Sequence, residues 1–223
     1  EEGMVVDITG MAFGGEGIAR QNNFVTFVKG AVPGQRVTLK NLVVKKNHAK
    51  AEVGEVLQEF AGKEPPPCAS FGECGGCQWQ GVPYEQQVNW KQKFITDALT
   101  RLGGQKELPQ LTFFPAPNSW EYRERIRVQL IVVPGGHKTL GFFRSGTHQV
   151  MAIPRCEIAA PPLNRLLCRL NQLQFDPKED YHCAMEWQVC QSGQEATAAT
   201  ILLSDPVSEA SLQSLVKQLK GFG

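Results

Sequence analysis

The first 58 residues alternate short apolar stretches with turn residues. Apolar and β-branched residues gather at 4–8, 24–28, 36–39 and 51–57, and glycines, asparagines or a Pro-Gly pair separate these stretches. Short runs of this kind between turn signals predict β-strands. Several strands in so short a segment indicate a small barrel of the OB kind. Three prolines at 65–67 then mark a linker.

The remainder of the chain mixes helical and strand-like patterns. A helix is predicted from Pro83 to Leu102, because proline suits the first turn and two glycines follow the last residue. Residues 134–136 form a Pro-Gly-Gly turn signal. The pattern predicts an α+β domain with an antiparallel sheet. Its strands are expected at 122–133, 139–144, 148–153, 185–190 and 198–203, and its helices at 162–173 and 206–219.

Three of the seven cysteines are close together, at Cys68, Cys74 and Cys77, in the pattern C-x5-C-x2-C. An odd number of cysteines without a secretion signal favours metal or redox chemistry over a disulfide framework. Three thiolates on a loop rich in glycine, with one distant cysteine, suit a cubane iron–sulfur cluster. The preferred fourth ligand is Cys156, which follows a strand-like end interrupted by Pro154.

Other uses of the cysteines remain open. Structural zinc is an alternative, since Cys74 and Cys77 form one C-x2-C pair, although zinc sites usually have two such pairs. Inert buried thiols are a third possibility. Cys168 lies in a helical apolar stripe and is interpreted as a core residue. Cys183 and Cys190 are interpreted as core or partly exposed residues, and the neighbouring His182 gives weak support to zinc.

The net charge conceals a strong segregation of basic and acidic residues. The chain has 23 Lys and Arg against 22 Asp and Glu, which gives a net charge of +1. Residues 17–51 contain seven basic residues and no acidic one, and residues 123–155 contain six basic residues and one acidic one. Two acid-poor regions predict contact with a polyanion. For any single lysine, a solvated barrel surface is an equally good explanation.

Three arginines alternate with apolar residues at the start of the predicted strand 122–133. On a strand, Arg123, Arg125 and Arg127 share one face and lie about 6.6 Å apart, close to the spacing of adjacent phosphates. A guanidinium group matches phosphate in a bidentate manner. Phe142, Phe143 and Arg144 on the returning strand add flat surfaces for base stacking, and one of the two phenylalanines is expected to face the core. Pairing of one or more arginines with neighbouring glutamates is the alternative.

Several classes of protein find no support in the sequence. No dinucleotide-binding loop, phosphate-binding P-loop, zinc-protease motif or nucleophile elbow is present. No clear acid–base constellation is visible, so we expect no catalytic centre in these residues. No signal peptide or long apolar run is visible. The sequence therefore predicts a cytoplasmic protein with no membrane partner.

Nine short segments together resemble a known family. Three segments at 14–20, 27–34 and 45–51 are similar to a TRAM domain. The remaining similarity is to RNA (uracil-5-)-methyltransferases, closest to the iron–sulfur enzymes that modify 23S ribosomal RNA, and it extends to about residue 173. It is carried, in this order and spacing, by Pro67-Cys68, Cys74-Gly75-Gly76-Cys77-Gln78-Trp79-Gln80, Tyr84-Glu85-Gln86-Gln87, Tyr122-Arg123-Glu124-Arg125-Ile126-Arg127, Gly141-Phe142-Phe143-Arg144 and Pro154-Arg155-Cys156.

The resemblance implies a fold and a division into domains. Residues 1–60 are expected to be an OB-like TRAM barrel, and residues 61–223 an α+β central domain that holds the cluster. A C-terminal Rossmann-like methyltransferase domain is expected to be absent from this chain. The helix at 83–104 is expected to pack on that missing domain, which would leave Trp90 and Phe94 exposed.

The resemblance also implies an activity, cofactors and site residues. The parent enzyme is expected to transfer a methyl group from S-adenosylmethionine to uracil C5 after a cysteine adds at C6, whereas this chain alone is expected to be inactive. Arg127 is expected near the target uridine. A [4Fe-4S] cluster is expected on Cys68, Cys74, Cys77 and Cys156. The expected RNA-binding residues are Arg20, Lys29, Lys45, Lys46, Lys50, Arg123, Arg125, Arg127, Phe143 and Arg144.

A second function remains open at this point. The chain could be a stand-alone RNA-binding module with a structural iron–sulfur or zinc site. In either case the expected partner is RNA, with ribosomal RNA favoured over transfer RNA. The protein is expected to be a monomer.

Overall fold

The computed structural model describes residues 3–22, 24–133, 135, 137–173, 181–190, 196–203 and 208–219. The chain divides into two compact units. Unit 1 comprises Glu1–Pro67 and Cys77–Pro115, and unit 2 comprises Cys68–Gly76 and Ala116–Gly223. None of the described helices is both long and apolar enough to cross a membrane.

Six strands of unit 1 form one sheet, in the region where the sequence predicts short strands. The sheet order is β1-β5-β6-β4-β3-β2, in which β4 and β6 are parallel and the other pairs are antiparallel. Register shifts between β5 and β6 bend these two long strands. Alternate residues such as Val6, Val28 and Val37 point into a shared apolar core. The strands are β1 Val5–Asp7, β2 Gly10–Met11, β3 Gly17–Gln21, β4 Phe24–Lys29, β5 Arg36–Val44 and β6 His48–Gln58.

The glycine-rich segment at 14–17 is a tight turn between β2 and β3. Gly15 has a φ of 90°, and its N–H donates to the carbonyl oxygen of Ala12 at 2.9 Å. A Cβ at Gly17 would lie 2.8 Å from the Cβ of Ala31, so a larger residue does not fit there. The segment therefore closes the sheet, and its geometry is that of a turn.

One helix follows the strands of unit 1, over the residues predicted to be helical. Helix α1 spans Tyr84–Asp97 and continues as a π-helical turn over Ala98–Leu102. None of its side chains is fully buried. The ring of Phe94 is half-buried because it contacts three other aromatic rings, with centroids 5.9–6.3 Å away, in Phe13, Trp79 and Trp90.

Unit 2 contains a five-stranded sheet in which all pairs are antiparallel. Its order is β11-β10-β7-β8-β9. Each strand overlaps a segment that the sequence predicts as a strand, whereas Pro134 and Gly136 of the predicted turn lie outside the described residues. The strands are β7 Arg125–Val133, β8 His137–Phe143, β9 Val150–Ala152, β10 Tyr181–Cys190 and β11 Ala196–Leu203.

Two helices complete unit 2, and one of them covers a face of its sheet. Helix α2 spans Pro161–Leu170, and helix α3 spans Glu209–Leu219. In α2 the leucines at 163, 166, 167 and 170 are buried, which is the spacing of a single apolar face. They share one core with Ile126, Val128, Leu130 and Val132 of β7. One face of β7 is therefore buried, and its opposite face remains for other contacts.

Candidate nucleic-acid interface

The arginines of β7 lie on the face of the sheet opposite the core. Arg125 and Arg127 are exposed, whereas Ile126 and Val128 between them are buried. This confirms the predicted alternation of charged and apolar residues along the strand. Arg123 precedes β7 and is also exposed, and its backbone forms a bridge to Ala159.

The two strand arginines differ in their partners. One guanidinium nitrogen of Arg125 donates to the side-chain oxygen of Gln188 at 2.7 Å, and another lies 3.6 Å from the carboxylate of Glu186. Within the described part of the chain, the guanidinium group of Arg127 makes no hydrogen bond or ion pair. Because an exposed guanidinium without a partner remains available for phosphate, Arg127 is the stronger candidate for RNA contact.

The two glutamates near the arginines of β7, Glu121 and Glu124, form no ion pair with those arginines among the described residues. Glu121 lies 3.2 Å from a guanidinium nitrogen of Arg155, which also contacts Glu157 at 3.1 Å. These two carboxylates raise the pKa of Arg155, and the hydrogen bond that Arg155 donates to Glu157 contributes most. Among the described residues, Glu124 forms no ion pair.

The predicted stacking residues at the end of β8 have distinct environments. Phe142 packs against the core of unit 2, as expected for one of the two adjacent phenylalanines. Phe143 is half-buried and meets His148 edge to face, with ring centroids 5.5 Å apart. Arg144 forms a short ion pair with Glu73 of the cysteine loop. Arg144 therefore links β8 to that loop, and its charge is partly neutralised.

The basic residues of the barrel are all exposed. Arg20 lies on β3, Lys29 ends β4, and Lys50 lies on β6. Lys45 and Lys46 lie in the connection from β5 to β6, beside three exposed aliphatic residues, Leu42, Val43 and Val44. Within the described ranges none of these five basic side chains forms an ion pair. These five positive charges therefore lie on the surface of unit 1 without an ion-pair partner among the described residues.

The four predicted ligand cysteines are exposed to a similar degree, and Cys168 and Cys183 differ from them. Cys68, Cys74, Cys77 and Cys156 are all half-buried. Cys168 is exposed, so its interpretation as a core residue is wrong: it faces away from the leucine stripe of α2. Cys183 is fully buried, and burial raises the pKa of its thiol to about 11. The side chain of Cys190 lies outside the described residues.

His182 and Cys183 point to opposite faces of the sheet. The Nε2 atom of His182 lies 3.0 Å from the side-chain oxygen of Gln129, whereas Cys183 belongs to the core. Adjacent residues of a strand alternate in this way. The two side chains therefore do not converge as zinc ligands.

The cysteine loop is attached to the end of β8 through its backbone. Cys74 forms a bridge to Arg144, and the N–H of Gly75 donates to the carbonyl oxygen of Phe143 at 3.0 Å. The N–H of Ser145 donates to the carbonyl oxygen of Glu73 at 2.8 Å. Residues 68–76 therefore belong to unit 2 with Cys156, and Cys77 is the next residue along the chain.

The donor set can be compared with the two kinds of metal group that the sequence suggests. Among the described residues, no three His, Cys, Asp or Glu side chains come together as a site for one metal ion. A zinc ion would require ligands about 2.3 Å from a common centre. A cubane cluster bridges thiolates that lie farther apart, and it accepts four cysteines. Four cysteines are the donor type that such a cluster takes.

Several contacts of this surface have no signal in the sequence. Glu186 and Gln188 engage Arg125 across β10, 61 and 63 residues away along the chain (186 − 125 = 61; 188 − 125 = 63). Glu73 engages Arg144 over a similar separation. The buried side chain of Asn164 binds the backbone of Cys156. Each contact depends on strand register or on helix placement, which residue motifs do not encode.

Comparison with known proteins identifies the barrel and shows what the rest of the chain is similar to. The sequence model of the TRAM domain matches residues 3–53. An uncharacterized RNA methyltransferase of Synechocystis is 36% identical over 174 residues, and one of Clostridium tetani is 35% identical over 162 residues. The chain contains a TRAM domain, and over about three quarters of its length it is similar to proteins named RNA methyltransferases. These alignments cover 77% and 72% of this chain but only 38% and 34% of the two relatives, so the chain spans little more than a third of their length.

A solved structure shares the fold of this TRAM-containing chain. It is the tRNA (uracil-54, C5)-methyltransferase of Pyrococcus abyssi in complex with S-adenosyl-L-homocysteine. The TM-score is 0.61 at 16% identity, and the match covers 92% of this chain and 47% of that one.

This superposition corrects the predicted fold class. The sequence predicted an OB-like barrel and an α+β domain with an antiparallel sheet, in a chain that lacks a C-terminal Rossmann-like methyltransferase domain. That prediction is wrong, because 92% of the chain superposes on a methyltransferase. It rested on the resemblance, which places the methyl-donor domain after the matched segments, and short motifs do not show how much of a fold a chain shares with a known structure.

Proposed function

We propose that this chain recognises RNA within an S-adenosylmethionine-dependent methyltransferase that modifies uracil at C5. The observation that carries the proposal is the exposed arginine row on β7, found in a chain whose relatives are named RNA methyltransferases. The methylated position is suggested by the fold neighbour, which is named for uracil C5 and is in complex with S-adenosyl-L-homocysteine.

The proposed recognition uses two sets of basic residues. In unit 2, Arg123 and Arg127 have exposed side chains without partners in the described residues, and each can donate two parallel hydrogen bonds to a phosphate. Arg127 is proposed to contact the target nucleotide, and Phe143 offers a ring for base stacking. In unit 1, the lysines of the barrel add charge that does not depend on base sequence. When bound, S-adenosylmethionine supplies the methyl group.

The proposed substrate is ribosomal RNA, with transfer RNA as the competing source of the same uracil. The resemblance in the cysteine segments favours ribosomal RNA, whereas the fold neighbour is named for transfer RNA. The test uses the full-length parent protein, S-adenosylmethionine with a labelled methyl group, and unmodified 23S and transfer RNA in parallel. We expect label in 5-methyluridine from 23S RNA. Label in another base, or in no base, would contradict the proposed reaction, and label only in transfer RNA would reassign its substrate.

We propose further that Cys68, Cys74, Cys77 and Cys156 hold a [4Fe-4S] cluster. The proposal is supported by their common half-buried state and by the backbone contacts that attach residues 68–76 to the end of β8, in the unit that also contains Cys156. Four thiolates are the usual ligands of such a cluster. Within this chain they would join the cysteine loop to the segment after β9.

Two cysteine variants test the cluster in anaerobically purified full-length protein. Wild-type protein should contain about four irons per chain and absorb broadly near about 400 nm. Cys156→Ser should lose most of this iron, whereas Cys168→Ser, at an exposed position on α2, should retain it. Colourless wild-type protein with one zinc would contradict the cluster. Equal iron in the two variants would contradict Cys156 as the fourth ligand.

A further inference from the structure

Asn164 is a buried polar residue in the apolar part of helix α2. It is 8% exposed and lies between leucines that belong to the core of unit 2. Its side-chain oxygen accepts a hydrogen bond from the N–H of Cys156 at 2.9 Å. Its amide nitrogen donates to the carbonyl oxygens of Cys156 and Ala159, both at 3.0 Å. Every donor of this amide therefore has a partner, and so does its oxygen.

These bonds hold the backbone of Cys156 on both sides of its Cα atom. The N–H and the carbonyl group of one residue are bound by the same side chain. A third contact, from the N–H of Ala159 to the carbonyl oxygen of Cys156 at 3.1 Å, closes the turn. Fixing both peptide groups fixes the direction of the bond from Cα to Cβ. The amide of Asn164 therefore fixes the direction in which the Cys156 side chain leaves the backbone.

Helix α2 does not need this amide for its own stability. The backbone N–H of Asn164 already donates to Ala160 at 3.2 Å, as a helical residue does. Its side chain leaves the helix and binds the segment before it. A buried amide is tolerated only when fully hydrogen-bonded, and an apolar residue would fill such a position at less cost. The presence of an amide here therefore indicates that the Cys156 segment requires these hydrogen bonds.

We propose that Asn164 is a positioning residue for the fourth thiolate of the iron–sulfur cluster, an inference that rests on the proposed cluster site. Its amide holds the Cys156 backbone before iron binds, so the thiol is directed without a further loss of conformational freedom. Partners outside the first coordination shell commonly change metal affinity about 10- to 100-fold. Loss of the amide should therefore accelerate iron loss by about that factor.

The test compares three variants of full-length protein purified without oxygen. Asn164→Ala removes all three bonds, and Asn164→Asp keeps the size of the side chain and the oxygen that accepts from Cys156. The matched control is Asn171→Ala at the end of the same helix, where the amide donates to the carbonyl oxygen of Leu167 at 2.9 Å. The measurements are iron per chain, the rate of iron release to a chelator, and thermal unfolding of the iron-free proteins.

The proposal predicts a specific order of iron release. Asn164→Ala should release iron about 10- to 100-fold faster than wild type, Asn164→Asp should be intermediate, and Asn171→Ala should match wild type. If Asn164→Ala does not fold, the comparison of Asn164→Asp with wild type tests the proposal. Equal rates of iron release from these two proteins would overturn it. A shift in unfolding temperature without faster release would show a purely structural role and also overturn it. Wild-type protein without iron would overturn the cluster itself, and with it this inference.

Discussion

Arg127 provides the sharpest test of the RNA-binding surface, because its neighbour Arg125 serves as a matched control. Both side chains are exposed on the same face of β7. Arg125 is bound to Gln188 and lies beside Glu186, whereas Arg127 has no such partner among the described residues. The substitution Arg127→Ala therefore removes a charge available for RNA without breaking a contact within the protein.

The size of the effect follows from this difference. An arginine that binds nucleic acid contributes about 1–3 kcal/mol, so Arg127→Ala should weaken binding about 5- to 150-fold. Loss of one phosphate contact on single-stranded RNA should lower the slope of log K against log salt by about 0.7. The free energy of unfolding should change by no more than about 0.5 kcal/mol, since the side chain is exposed. Arg125→Ala should weaken binding less, because Glu186 already offsets part of its charge.

The assay is a titration of fluorescent single-stranded RNA containing uridines, at several salt concentrations. Wild type, Arg127→Ala, Arg125→Ala and the exposed helix variant Arg101→Ala are compared, with unfolding curves for each. Unchanged affinity and an unchanged salt slope in Arg127→Ala would refute its assignment to RNA binding. A larger loss in Arg125→Ala than in Arg127→Ala would refute the argument from partners.

Three further measurements test the charges and the core of unit 2. Glu186→Gln removes a negative charge from the residue opposite Arg127. Because two charges about 7 Å apart in water interact by about 0.6 kcal/mol, this variant should bind RNA about two- to threefold more tightly. Weaker binding would contradict this expectation. Lys138 donates to the carbonyl oxygens of Leu170, the last residue of α2, and of Leu173, which follows the helix. Lys138→Met should therefore lower the free energy of unfolding by about 1–3 kcal/mol, whereas the exposed control Lys217→Met should not. Burial raises the pKa of Cys183 to about 11, so the unfolded chain loses this proton first and stability should fall as pH rises from about 9 to about 11. Cys183→Ala should flatten that fall in thermal unfolding measured across this range, and an unchanged slope would exclude this thiol as its source.

The strands could be predicted from the sequence because their residues carry a local signal. The alternation of Arg125, Ile126, Arg127 and Val128 gives both the strand and its buried face, and the structure agrees. The leucines of α2 likewise give its apolar face. Such patterns need only the period of the element and the preference of apolar groups for the core.

The same local rule failed for Cys168. It lies in a run of leucines, and composition alone suggested burial. A helix advances about 100° per residue, so the position directly after Leu167 faces away from the stripe that contains Leu163 and Leu170. The periodicity of the helix, applied residue by residue, places Cys168 on the exposed side. Composition was the weaker signal here, and position relative to the stripe was the stronger one.

The pairing of charges could not be predicted, since it depends on strand register. Glu186 meets the arginines of β7 only because β10 pairs antiparallel with it and places Glu186 opposite Arg127. A shift of one residue would turn this carboxylate toward the core face of the sheet. Whether Arg125 or Arg127 is left available for phosphate is therefore a property of the assembled sheet. The same is true of Asn164, which reaches Cys156 because α2 turns back over the segment before it. Sequence motifs locate the side chains that could bind RNA or metal, and tertiary contacts determine which of them are already bound to other residues of the protein.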